Sequence, residues 1–239
     1  DGIVYYFAGN PTDNWVKFAG FYWRIVRING NQSTRLIYSG VANKDKVEDS
    51  NIIGSGTQLA DTSSFNSISN NNAYVGYMYT IGQVHGLDTD STIKKVLDKW
   101  YENNLLSEQE AIDINGGFCG DREPSTSQST NNGQGGTGTT KTYYSPYFRA
   151  YGNNNPTFKC SNNNDLYTVK EANTGNKALT YPIGLISVDE LTYAGLMGMG
   201  GNTGFYFYTN ESYWTMSPYS YQDGIAGVFS FSADGRISY

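Results

Sequence analysis

The chain has 239 residues and a mass of 26.4 kDa, enough to bury a full hydrophobic core as one large domain or two small ones. Sixteen lysines and arginines against 22 acids give a net charge of −6, which argues against a nucleic-acid partner and gives no reason to expect attraction to an anionic membrane surface. Only 16% of residues are charged and 15% are aromatic, including 21 tyrosines, so the composition is the opposite of a disordered chain and favours strands.

The N-terminal part reads as strands. Ile3–Phe7 is a short run of strand formers, and Trp15–Ile28 is a longer one. Asn29-Gly30 is a hairpin turn signal, and Thr34–Tyr38 is the returning strand. Arg24, Arg27 and Arg35 are expected at the rim of this hairpin as solvated charges. Residues 42–72 are polar and loop-like, and Ala73–Tyr79 reads as another strand. Ser91–Leu106 is the best helix, with Ile93, Val96, Leu97, Trp100 and Leu105 near a 3.6-residue period and Asp90 or Ser91 as its cap.

Cys119 and Cys160 are the two cysteines. A disulfide between them, which we expect over two free thiols, closes a loop of about 40 residues. Residues 123–142 are low in complexity and predict a flexible insertion within one domain spanning 1–239. Ser187-Val-Asp-Glu190 is a capping box, and Ile186 with Leu191 fits a hydrophobic staple, so a second helix is expected to run to about Leu196. The tail then predicts strands at Phe205–Tyr208, at Tyr213–Ser217 ended by Pro218, at Gly227–Ser232, and, after a turn at 233–235, at Arg236–Tyr239.

No apolar run approaches 18 residues, so no membrane span is expected. The chain starts at Asp1 without Met, which suggests a mature or trimmed fragment whose export signal or anchor lay upstream. Abundant Tyr, Ser, Gly and Asn give a surface of the antibody-paratope type, although a low-GC genome enriches Asn and Tyr as well.

Catalytic signatures are sparse. His85 is the sole histidine, sits without a Gly-x-Ser-x-Gly elbow, and reads as a loop or packing residue. No zinc spacing is present, and the glycine-rich stretch at 195–204 lacks the Lys-Ser/Thr of a phosphate loop. Asp189-Glu190 reads as helix capping rather than a catalytic pair. No metal ligand set and no cofactor is expected. Calcium is the one alternative weighed, at Asp88-Thr-Asp90 or Asn162-Asn-Asn-Asp165, although short Asp/Asn runs are mostly turns.

Three tail segments carry a family resemblance. Tyr181-Pro-Ile-Gly-Leu-Ile-Ser-Val-Asp-Glu-Leu, Tyr213-Trp-Thr-Met-Ser-Pro-Tyr-Ser-Tyr and Gly227-Val-Phe-Ser-Phe-Ser-Ala-Asp-Gly resemble the capped-helix step and paired strands of bacterial C-type-lectin-like domains. These include the formylglycine-generating-enzyme-like fold and the Fibrobacter major paralogous domain. The start, Phe18–Gly30, resembles surface proteins of gut Firmicutes that share this tail. The resemblance implies an α+β, C-type-lectin-like fold with twisted antiparallel sheets, two main helices and long loops.

It also implies an extracellular ligand-binding or adhesion module, secreted or on the cell surface, that recognises a glycan or a host or bacterial surface protein. Tyr206, Tyr208, Tyr213, Trp214, Tyr219 and Tyr221 would form its exposed aromatic face. The redox-active or copper-binding cysteine pair of the family's enzymes is not matched, because Cys119 and Cys160 lie outside the corresponding strands. Such domains usually finish with one more strand. Its absence here suggests a C-terminal edge open to self-association, and hence the alternative of a fibre or pilus subunit assembled by strand pairing. A glycan-active enzyme is the third expectation.

Overall fold

The computed structural model describes residues 2–126, 135–197 and 200–239. The chain is mixed helix and sheet, and its named strands all pair antiparallel. Two four-stranded sheets carry the core.

The first sheet contains β1 (Tyr5–Tyr6), β2 (Trp15–Phe18), β3 (Phe21–Ile28) and β4 (Thr34–Val41). Strand β3 is central. Arg24 pairs with Trp15 of β2 on one side and Ile37 of β4 on the other, and Ile28 does the same between Tyr5 of β1 and Thr34. The expected run from Trp15 to Ile28 is therefore a hairpin. Ala19 and Gly20 take φ of 52° and 79°, the doubly positive pair that lets a two-residue turn match strand twist.

Two short ribbons follow, β5 (Met78–Tyr79) with β6 (Thr89–Asp90), and β7 (Phe118–Cys119) with β9 (Leu166–Tyr167). The strand expected at Ala73–Tyr79 is only its last two residues. Asn71 accepts from the Ala73 amide at 3.1 Å and starts a tight helical turn over Asn72–Val75 instead. A local side-chain acceptor outcompetes strand propensity there.

Helix α1 spans Thr92–Asn104. Ser91 caps it by accepting from the Lys94 amide at 3.2 Å, and Ile93, Leu97 and Tyr101 bury one stripe. A short helix α2 (Ser145–Tyr147) runs into a wider turn at Phe148–Asn153. Helix α3 spans Val188–Ala194 and carries the full reciprocal capping box between Ser187 and Glu190. Gly195 ends it at φ 123°, a left-hand-side conformation that favours glycine.

The second sheet has the order β12-β11-β10-β8, from β8 (Thr142–Tyr143), β10 (Tyr213–Gln222), β11 (Ile225–Phe231) and β12 (Ile237–Ser238). Pro218 does not end β10. It sits at a register irregularity opposite Val228, and the strand continues to Gln222. The β10–β11 turn is Asp223-Gly224, both at positive φ. The strand expected at Phe205–Tyr208 is a buried turn instead, closed by the Tyr208 amide on the Phe205 carbonyl at 3.0 Å. Its rings enter the core, so their periodicity serves packing rather than a ladder.

Two apolar clusters result. One gathers Trp23, Phe65, Leu97, Tyr167 and Met216 around α1, and the other gathers Val26, Leu191, Phe205, Phe229 and Phe231 around α3. Cys119 and Cys160 are joined as a disulfide across 41 residues. Part of the expected flexible insertion, 127–134, lies outside the described residues. Its flanks are held: Ser125 donates to the Tyr143 carbonyl at 2.8 Å, and the Asn72 side-chain amide donates to the carbonyls of Thr137, Gly138 and Thr140. Among the described residues no helix is long and apolar enough to cross a membrane.

Reducing the Cys119–Cys160 bridge should cost about 4 kcal/mol by loop entropy. Urea unfolding with and without reductant measures this, and the shift should vanish in the Cys119→Ser/Cys160→Ser double variant.

An aromatic-walled cleft and a buried ion network

The first sheet meets helix α3 through a set of buried charges. Glu190, in the first turn of α3, accepts from Arg27 of β3 at 3.1 Å and Arg35 of β4 at 3.3 Å, with side-chain exposures of 13% and 10% for the arginines and 3% for the acid. Its neighbour Asp189 takes two hydrogen bonds from Arg149 at 2.8 Å, and Asp121 binds the same guanidinium. Arg24 is also buried, bonded to Asn14 at 2.6 Å and lying 4.2 Å from the Trp15 ring. The three hairpin arginines are thus not solvated rim charges. Side chains of β3 are covered on both faces, and each guanidinium meets a fixed acceptor.

A small cavity of about 40 Å³ sits among Arg27, Arg35, Arg149, Asp121, Asp189 and Glu190, beside the disulfide. Burial pushes the Glu190 carboxyl up, but Arg35 and Arg27 outweigh burial and hold it below the usual carboxylate range. Burial pushes Asp121 up, and Arg149 and Ser161 offset this only in part. These acids are each paired with a guanidinium, so Asp189 and Glu190 do more than cap α3.

On the other side of the hairpin lies a cleft of about 910 Å³, near the top of the range of about 300–1,000 Å³ for ligand pockets. Six consecutive β4 residues, Thr34–Ser39, line it. Helix α1 contributes Ile93, Val96, Leu97, Tyr101 and Leu105, and the segment 182–186 closes the floor. Its aromatic walls include Trp23, Tyr38 and Trp214. These rings are held. The Trp23 indole N–H donates to the Phe18 carbonyl at 3.0 Å, the Trp214 indole to the Ser63 carbonyl at 2.9 Å, and Tyr38 packs edge-on to Trp23 at 5.8 Å.

The six tail aromatics do not form an exposed face. Tyr206, Tyr219 and Tyr221 are buried at 8%, 5% and 3% exposure, and Tyr208, Tyr213 and Trp214 are half-buried. Strand β10 is covered on both faces, because the loops after β4 fold over it: Tyr221 donates to the Asn70 carbonyl at 3.1 Å, as Trp214 does to Ser63. Tyr219 stacks on Tyr239 at 3.8 Å. The cleft does reunite three of the six, Tyr206, Tyr213 and Trp214. Trp23, Tyr38 and Tyr101 were not singled out in the sequence, and the alternation across the β3–β4 hairpin was the available signal for the first two.

His85 stands 3.1 Å from Asp165 and 3.2 Å from Glu123, between the 80–86 loop and the ribbon β7–β9. Hydrogen bonding to Asp165 raises its pKa despite burial. Of the residues weighed for calcium, Asp165 is fully buried and occupied by Arg122 at 2.8 Å, and Asp90 faces Lys94 at 3.3 Å. Among the described residues no group of three or more His, Cys, Asp or Glu is placed to hold a metal ion. The Tyr101 hydroxyl is buried with no hydrogen-bond partner among the described residues.

Three outcomes follow from these environments. Glu190→Gln should destabilise the fold by about 3–5 kcal/mol, because it leaves two arginines buried with their charge uncompensated. The depressed carboxyl also sets a pH dependence. Its contribution is complete above the unfolded pKa near 4.5 and is lost as pH falls through the lower folded value. Urea midpoints from pH 7 to 3 should therefore fall more steeply in the parent chain than in Glu190→Gln. Tyr101→Phe should leave stability unchanged or raise it, since it removes a buried hydroxyl without a partner; thermal melting checks this.

Comparison of this chain with protein-family models, with curated proteins and with solved structures finds no match.

Proposed function

We propose that this chain is an extracellular ligand-binding or adhesion module of a bacterial surface protein, of the C-type-lectin-like kind, which binds a glycan or a protein without transforming it. The observation that carries the reading is the cleft of about 910 Å³ with rigid aromatic walls. Rings already fixed by hydrogen bonds and edge contacts lose little freedom on binding, which is what a recognition site requires. The disulfide supports an oxidising compartment. The capped helix α3 followed by the long β10–β11 hairpin supports the lectin-like resemblance. The pairing of Asp121, Asp189 and Glu190 with arginines speaks against their use as a glycan-cleaving acid and base.

A second reading, a structural subunit of a surface fibre or pilus, is favoured by one observation: among the described residues β4 pairs with β3 alone and leaves its outer edge open. A sizing column at high concentration separates the two, since a fibre subunit assembles and a binding module elutes as a monomer.

Glycan and surface-protein arrays probed with the whole chain test the first reading. Tyr38→Ala and Trp214→Ala should each weaken the selected ligand about tenfold or more, the size of an interface anchor. An absence of any array signal would remove the binding reading and leave the fibre.

A further inference from the structure

The lining of the cleft has an unusual register. Successive residues of a strand point to opposite faces, so a cavity against one face touches every second residue. Here all six residues from Thr34 to Ser39 border the cleft. The cleft therefore runs along the edge of β4 as well as against its face. That edge is open: Arg24, Ile25 and Trp23 of β3 pair with Ile37, Leu36 and Tyr38 on the inner side, and no strand pairs on the outer side. Among the described residues, no other group hydrogen-bonds to the main chain of Thr34–Ser39. The opening has a definite end. At Gly40 a Cβ would meet the Ile52 side chain at 2.9 Å and the Gly56 carbonyl at 3.0 Å, so the 52–56 turn closes the edge there.

We propose that the cleft takes an extended segment of a different protein, added as a fifth strand of the first sheet along Thr34–Ser39. The inference rests on the ligand-binding reading and names the class of ligand. Two features choose the occupant. An open strand edge offers alternating N–H and C=O groups, and a polypeptide main chain supplies the matching set at the same spacing. A lipid or a sugar does not. The walls then set the side chains: one face of the added strand meets Trp23, Leu36, Tyr38, Leu97 and Trp214, so its inward residues are apolar at every second position. Six residues of edge correspond to about 20 Å of strand.

A second copy of this chain is a poor occupant for a physical reason. Edge-to-edge pairing of two β4 strands would satisfy the main chain but leave the apolar cleft unfilled.

The probe is a random octapeptide library displayed on phage and panned against the whole chain. Enriched sequences should carry apolar residues at alternate positions. The strongest peptide, made synthetically, should slow amide hydrogen exchange at Thr34–Ser39 at least tenfold. N-methylation of its alternate amides in one phase should weaken binding more than tenfold, and in the other phase should leave it intact, because only one set faces β4. Binding with unchanged exchange at β4, or equal binding of both methylated peptides, overturns the proposal. So does self-association through β4 in sedimentation. Uptake of dodecane without any enriched peptide also overturns strand addition and leaves the ligand-binding reading standing. If neither probe binds, strand addition falls, and the glycan and surface-protein arrays decide the ligand-binding reading separately.

Discussion

Taking three guanidinium groups out of water costs several kcal/mol each unless an acid meets them with good geometry. The first turn of α3 provides that meeting point. Asp189 and Glu190 are adjacent in sequence, yet they hold arginines from β3, β4 and the turn after α2. The helix N-terminus adds its own favourable potential for negative charge at this place. Removing Glu190 would leave the charges of Arg27 and Arg35 uncompensated. The disulfide lies against the same cluster and ties the β7 ribbon to it.

The same hairpin also borders the aromatic-walled cleft. The hairpin β3–β4 is anchored at its Arg27/Arg35 end by ions. Ionic anchoring fixes position without filling volume. Further along, Tyr38 of β4 packs on Trp100 of α1 at 5.7 Å, and the aromatic-walled cleft lies beside this contact. The two apolar clusters sit on either side, each complete around its own helix. Arg35 belongs to both features, lining the cleft and pairing with Glu190.

Local signals were legible where one residue decides a conformation. Ser91 and Ser187 announce their helices because a hydroxyl before an amphipathic stretch has an obvious amide to accept from. The cysteine bridge was also legible, since two cysteines leave one pairing, whereas the α+β class rested on the resemblance of the tail segments. Asp223-Gly224 was equally decisive and was overlooked. The errors share a cause. Ala73–Tyr79 and Phe205–Tyr208 have strand composition, but a side-chain acceptor at Asn71 and a closing turn at Phe205 override it. Pro218 has the character of a strand terminator, yet a register irregularity accommodates it inside β10.

The sequence by itself determined what lies close along the chain: caps, turns, the charge balance and the supply of aromatic rings. Only the tertiary structure decided which rings are reachable and which charges are paired. Tyr219 and Tyr221 looked the same as Trp214 in sequence, since alternation says which residues share a face and not what covers that face. Arg27 and Arg35 looked solvated because their acid lies about 150 residues away, brought to them by packing. The open edge of β4 was invisible for the same reason: a strand is an edge only by virtue of the neighbour it lacks.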